Sequence, residues 1–329
     1  MSLRWLAHLK GVELRTLATS IGINSSGTKA ALTASLETQI PRAALLLSHD
    51  TPESTLSKGR FKGKARANVL SIDMGIRNFC YSRFLVPEST HIPPQLVQWE
   101  RKDIGESPKT IDSAAVKESF EPHVYAALAY DVLDRIFQEG HPSHVLIERQ
   151  RFRSMGAAAV QEWTLRVNMF EAMLYAVLET LKRQGRWDGD VYGVSPARVA
   201  QFWVGGEEVV TKASRKKQKK DDEPGEKTVK TSKSKQTKAL KMQLVGKWLR
   251  DSSKFSVNGQ AQESAVKYQN VQTGKEKQST FGKLDDLADS VLQGLAWLEW
   301  EANRQLISEK GMDALPELQK ASRSSSGTG

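Results

Sequence analysis

The sequence predicts an α/β domain with a mixed sheet flanked by helices, preceded by a small helical unit. Three observations carry that prediction. Apolar runs give three consecutive strand candidates, after which helix and strand patterns alternate toward the C-terminus. Two of the strand runs end in an acid, at Asp73 and Glu148. The length of 329 residues, with 39% hydrophobic side chains, exceeds one average domain of about 150 residues and supplies a real core.

Residues 3–40 read as two short helices around the breaker cluster Ile21-Gly22-Ile23-Asn24-Ser25-Ser26-Gly27. Leu6, Leu9, Val12, Leu14 and Leu17 form the first apolar set. Thr28 is a candidate N-cap for Lys29 to Ile40, where Ala31, Leu32, Leu36 and Ile40 keep helical spacing. The polar, basic stretch that follows reads as a linker, so residues 1–42 form one unit, 43–67 the linker and 68–308 the main domain.

Val69 to Asp73 reads as a strand, with a bend at Gly75 and an antiparallel partner from Asn78 to Leu85. Gln95 to Ile104 is a third strand candidate. Phe120 to Glu139 reads as a helix, His144 to Glu148 as a fourth, buried strand, and Ala157 to Gln184 as a long amphipathic helix. The fifth strand is expected at Val191 to Pro196, with Pro196 opening a short helix through Phe202. Residues 211–237 are lysine-rich and poor in large apolar side chains, which predicts mobility without a partner. Helical spacing returns from Lys238 to Arg250 and, strongly, from Lys283 to Leu306. Residues 251–280 read as irregular and polar, and 309–329 as a C-terminal tail.

Charge is unevenly distributed. The net of +10 comes from two basic segments, +6 over residues 1–66 and +8 over 211–241, around a body of −4 over 67–210. Such segments suit a polyanionic partner. Cys80 is the single cysteine, which excludes a disulfide framework and a cysteine-based zinc site. No apolar run approaches the roughly 20 residues of a membrane span, and no membrane or small-molecule partner is expected. Walker, GxGxxG, HExxH and nucleophile-elbow motifs are absent from the sequence.

The candidate chemistry lies in the acids. Asp73 and Glu148 end strands, where ligands of α/β sheets gather. Asp286 and Asp289 stand three residues apart, on one face of the last strong helix. Carboxylates brought together repel and need a cation, and oxygen-only ligation suits Mg²⁺ or Mn²⁺. Two such ions about 3.5–4 Å apart would serve phosphodiester hydrolysis. Each acid also has an ordinary reading: a turn former at Asp73, an exposed ion-pair cluster at Glu148 with Arg149, Arg151 and Arg153, and a first-turn dipole partner at Asp285 and Asp286.

Ser71-Ile72-Asp73-Met74-Gly75-Ile76-Arg77-Asn78, Ile147-Glu148-Arg149-Gln150-Arg151-Phe152-Arg153-Ser154 and Asp285-Asp286-Leu287-Ala288-Asp289-Ser290 resemble the motifs of the fungal mitochondrial Holliday-junction resolvases. These are cruciform-cutting relatives of bacterial RuvC. The resemblance covers roughly residues 68–305. It implies an RNase H-like fold with a five-stranded mixed sheet. It also implies two Mg²⁺ ions per active site, with Mn²⁺ as substitute, held by Asp73, Glu148, Asp286 and Asp289. Asp285 is the alternative to Asp286. The implied reaction is paired symmetric nicking of four-way DNA junctions by a homodimer in mitochondria, leaving 5′-phosphate and 3′-hydroxyl ends. Arg4 and Lys10 precede the first acid, Glu13, but Met1 to Lys10 runs straight into the helical unit and leaves little room for a separate transit peptide.

The N-terminal unit, through Leu14, Leu17, Gly22, Ser26, Gly27, Thr28, Lys29, Leu32 and Leu36, resembles a SAP-type DNA-binding motif. Candidate DNA contacts are Lys29, Arg77, Arg149, Gln150, Arg151, Phe152, Arg153, Arg166, Lys216, Lys217 and Lys283. Leu165, Met169, Met173, Ala176 and Val177 are expected as core or dimer interface. Trp163, Trp248, Trp297 and Trp300 are expected to pack. Two other readings remain open at this point: a SAP-bearing DNA-binding protein without catalysis, and an RNase H-like nuclease acting on RNA–DNA hybrid.

Overall fold

The computed structural model describes residues 3–47, 65–89, 91–104, 121–150, 161–205, 233–277 and 283–324. At the N-terminus a 3-10 turn (Arg4–His8) precedes α1 (Gly11–Ser20), α2 (Lys29–Gln39) and α3 (Ala44–Leu47). Thr28 caps α2 as its residue type predicts, its Oγ1 accepting from Ala31 N at 3.3 Å. Gly22 ends α1 with φ +68°, and a Cβ there would meet the Trp300 ring at 2.2 Å.

The sheet comprises β1 (Ala65–Asp73), β2 (Phe79–Pro87), β3 (Gln95–Lys102), β4 (His144–Glu148), β5 (Asp190–Val194) and β6 (Ser256–Val257). Its order is β5-β4-β1-β2-β3-β6. β2 is antiparallel to β1 and β3; the pairs β1–β4, β4–β5 and β3–β6 are parallel. The sixth strand corrects the five-stranded expectation. Its two residues, paired with Gln95 and Leu96, are too few for any alternation to register.

Period-2 alternation divides the sheet between two cores. Leu70, Ile72, Val145 and Ile147 face α4 (Pro122–Gln138) and α5 (Glu162–Arg183). Ala67, Val69 and Leu146 face the opposite layer. That layer holds α6 (Pro196–Val204), α7 (Lys233–Asp251), α8 (Ala261–Gln272) and α9 (Leu284–Lys310). Segment 251–280, expected as irregular, therefore contains α8, which buries Ala261, Ala265 and Tyr268. Two of those three are alanines, which leaves only a faint apolar stripe in the sequence.

Of the stripe expected on α5 as core or dimer interface, Met173 and Val177 pack against the core. The helix buries Val167, Phe170, Leu174, Leu178 and Leu181, whereas Trp163, Leu165 and Met169 are 42%, 44% and 41% exposed. Trp248, Trp297 and Trp300 are buried as expected.

The C-terminal segment is no tail up to Ser324. After a 3-10 turn it forms α10 (Ala314–Ser324). Ala314, Leu315 and Leu318 close a third core with Leu6, Leu14, Leu17, Leu32, Leu36 and Ile307. Polar contacts complete this junction. Asn303 Nδ2 donates to Ser20 O, and Arg198 Nη1 donates to Gly22 O. Arg304 Nη2 donates to Ile21 O at 2.6 Å and Nη1 to Glu301 Oε1 at 2.6 Å, while Glu301 Oε2 accepts from Ala44 N.

Candidate active site

Asp73 and Glu148 reach the site because two parallel strands end side by side. Ile72 pairs with Ile147, so the next residues along are the two acids. Asp73 follows Val69 and Ser71 in alternation, and Glu148 follows Leu146, so both acids point toward α9. Glu148 Oε2 accepts from Met74 N at 3.3 Å and from Gln150 Nε2 at 3.0 Å.

α9 is held against this strand end by buried polar contacts. Ser71 Oγ and Ser82 Oγ both donate to Ser290 O, at 2.8 and 2.9 Å. Gln293 Nε2 donates to Ser71 Oγ and Ile72 O, and Trp99 Nε1 to Leu287 O. The helix approaches so closely at Gly294 that a Cβ would meet Phe84 at 2.6 Å. These contacts fix the rotation of α9 and bring Asp289 to Asp73 and Glu148. The three line one narrow cleft with Pro196, Val199, Lys241 and Gln293. Asp286, one turn earlier, is not part of that lining, although its charge acts on Asp73.

The electrostatics are those of crowded acids. Burial holds the Asp73 carboxyl well above its ordinary range, and Glu148, Asp289 and Asp286 all push it further up. Burial likewise raises Asp286 to about 6, with Asp285 adding to the effect and Lys283 and Lys238 opposing it. Asp289 is raised by burial against the pull of Lys241. Lys241 Nζ lies 2.9 Å from the buried Asp289 Oδ1, an ion pair. Lys238 Nζ pairs with Asp285 at 2.5 Å. That pair engages Asp285 with α7, as the Lys241 pair engages Asp289.

As the side chains stand, no three of the described His, Cys, Asp and Glu residues form a group ready to hold an ion. The chemistry of the donor set nevertheless fits a hard divalent cation. It offers crowded carboxylate oxygens, which push one another's protonation upward.

The expected DNA contacts divide into three groups. Lys29, Arg77, Arg149 and Lys283 are exposed, and Gln150 is half-buried against Glu148. Arg166 pairs with Glu162 on its own helix and is largely covered, so it does not project as a free phosphate contact. Arg151, Phe152, Arg153, Lys216 and Lys217 lie outside the described residues.

Three residues escaped sequence reasoning. Gln293 presents no motif; its role appears only once α9 meets β1. Lys241 sits in a lysine-dense stretch where no single lysine stands out. Glu171 on α5 accepts from Gln150 N at 3.0 Å and thereby pins the chain just beyond Glu148.

Residues 69–307 match the family model described as mitochondrial resolvase Ydc2 / RNA splicing MRS1. The chain is 30% identical over 240 residues to the mitochondrial cruciform cutting endonuclease 1 of Schizosaccharomyces pombe, covering 72% of this chain and 79% of that protein. To the Saccharomyces cerevisiae protein of the same description it is 25% identical over 263 residues, covering 75% and 72%. Among solved structures, the yeast mitochondrial Holliday junction resolvase Ydc2 superposes with a TM-score of 0.53 at 25% identity, covering 96% of this chain and 98% of that one.

Proposed function

We propose, from the premise that this chain belongs to the mitochondrial resolvase family, that Asp73, Glu148, Asp286 and Asp289 are its catalytic carboxylates. The protein is a mitochondrial Holliday-junction resolvase, an endonuclease with an RNase H-like fold. Its substrate is junction DNA and it depends on divalent metal. The finer reading is that each active site takes two Mg²⁺ ions, or Mn²⁺ in their place.

One observation supports that reading above the others. Three acids from β1, β4 and α9, distant in sequence, meet in one cleft on the same sheet face. When bound, the two ions supply an activated water and positive charge for the leaving oxygen. The chain's own residues prepare for this. Asp73 and Glu148 would hold the ions from the sheet, and Asp286 and Asp289 from the helix. Gln150 and Met74 N orient the Glu148 carboxylate through hydrogen bonds to Oε2. Gln293 ties α9 to β1, so helix and strand acids keep a fixed spacing. Pro196 and Val199 line the cleft beside the acids as its apolar part. Hydrolysis there leaves 5′-phosphate and 3′-hydroxyl ends.

Exposed Lys29, Arg77, Arg149 and Lys283 suit the phosphates of a junction. The SAP-like N-terminal unit would add a further DNA contact through Lys29. A four-way junction is cut symmetrically on two strands, which calls for a two-fold homodimer. The exposed Leu165 and Met169, four residues apart on α5, offer a small apolar surface for that contact.

The test is Asp73→Asn. Junction binding in a gel-shift assay should be retained while Mg²⁺-dependent cutting falls by at least about 10³-fold. Cutting at the wild-type rate by this variant would sink the assignment. Parallel assays on junction, linear duplex and RNA–DNA hybrid check substrate selectivity.

A further inference from the structure

We propose that Lys241 is the resident counter-cation of the carboxylate cleft, and that its ammonium leaves when a divalent cation enters. This rests on the metal chemistry proposed above and adds an exchange to it: one ammonium out, one divalent ion in.

The placement of the lysine carries the inference. Lysine normally keeps its ammonium in water, yet the Lys241 side chain is 13% exposed and its Nζ lies 2.9 Å from Asp289 Oδ1. It lines the same cleft as Asp73, Glu148 and Gln293, and the space left there is about 10 Å³. That is the lower limit for a single water, whereas Mg²⁺ retains several waters of its own. The Lys241 ammonium takes up part of this confined space, directly against Asp289. With Lys241 in place, the cleft acids are also not gathered into an ion-holding group.

Charge explains why exchange is favourable. One ammonium among Asp73, Glu148 and Asp289 leaves negative charge unanswered, so a divalent cation gains by entering. The same ammonium, in contact with one of the ligands, repels that cation until it moves. Lysine suits this because its charge rides on a flexible four-carbon stem. A second pair steadies α7 during the movement. Lys238, three residues earlier, bonds Asp285 rather than a cleft acid.

The experiment is a Mn²⁺ titration of the full-length chain, with free Mn²⁺ read by electron paramagnetic resonance. Wild type is compared with Lys241→Met, Lys241→Gln and Lys241→Arg. Both neutral variants should bind Mn²⁺ about tenfold more tightly than wild type, and the charge-retaining arginine variant should not. A misfolded variant would lose affinity, so a gain is not explained by damage. Wild-type uptake with equal or weaker binding by the neutral variants overturns the exchange and leaves the proposed reaction standing. No uptake by wild type overturns both.

Discussion

The two ends of α9 treat buried charge in opposite ways. Near its C-terminal end, Glu301 is answered on every side: Arg304 Nη1 bonds one carboxylate oxygen and Ala44 N the other. Burial raises the Glu301 carboxyl, but Arg304 and the backbone of Ala44 and Leu45 pull it back. At the N-terminal end, Asp289 and Asp286 stand among other acids, and every influence on Asp73 pushes in one direction. One helix therefore carries a fully paired charge that holds the fold together and a set of acids that Lys241 and Lys238 answer only in part. The distinction between structural and functional acid lies in the surroundings, since burial is common to both.

That contrast predicts opposite responses to neutralisation. Glu301→Ala strands Arg304 in the interior and should destabilise the protein by about 3–5 kcal/mol, measured by denaturant unfolding. Asp73→Asn relieves crowding and should stabilise the metal-free protein by about 1–3 kcal/mol. Loss of stability in both variants would erase the contrast.

A smaller effect sharpens it. Glu171→Ala should weaken Mn²⁺ binding about tenfold by releasing the chain after Glu148, and Glu171→Gln, which keeps an acceptor for Gln150 N, should restore it.

The smallest effect is on pH dependence. Asp286 is raised from 3.8 to about 6, so the folded state holds its proton more tightly than the unfolded chain. Its contribution to stability is full below about pH 4 and is lost as pH rises through about 6. With chelator present, unfolding free energies of wild type should decline across that window more steeply than those of Asp286→Asn. Equal slopes would remove Asp286 from the crowded set.

How much of this was legible in the sequence follows from the range of each signal. Asp73 and Glu148 could be read because apolar alternation runs up to them and stops. Asp286 and Asp289 could be read because their spacing fits a helical face. Lys241 was hidden by the lysines around it, since what distinguishes it is an acid 48 positions away. The role of α10 was equally hidden, because its apolar face of Ala314, Leu315 and Leu318 is short and its partners are some 300 residues distant. Local periodicity reveals elements and their ends, whereas docking between remote segments depends on shape that no short window contains.

The shared core of the N-terminal helices and the far end of α9 has a metric consequence. Eighteen residues separate Asp289 from Ile307 on one continuous helix, a span of about 27 Å at 1.5 Å per residue. That equals roughly eight base pairs of duplex at 3.4 Å each. Because α9 is a single rod, a duplex arm gripped by the N-terminal unit would be held at a set offset from the cutting position.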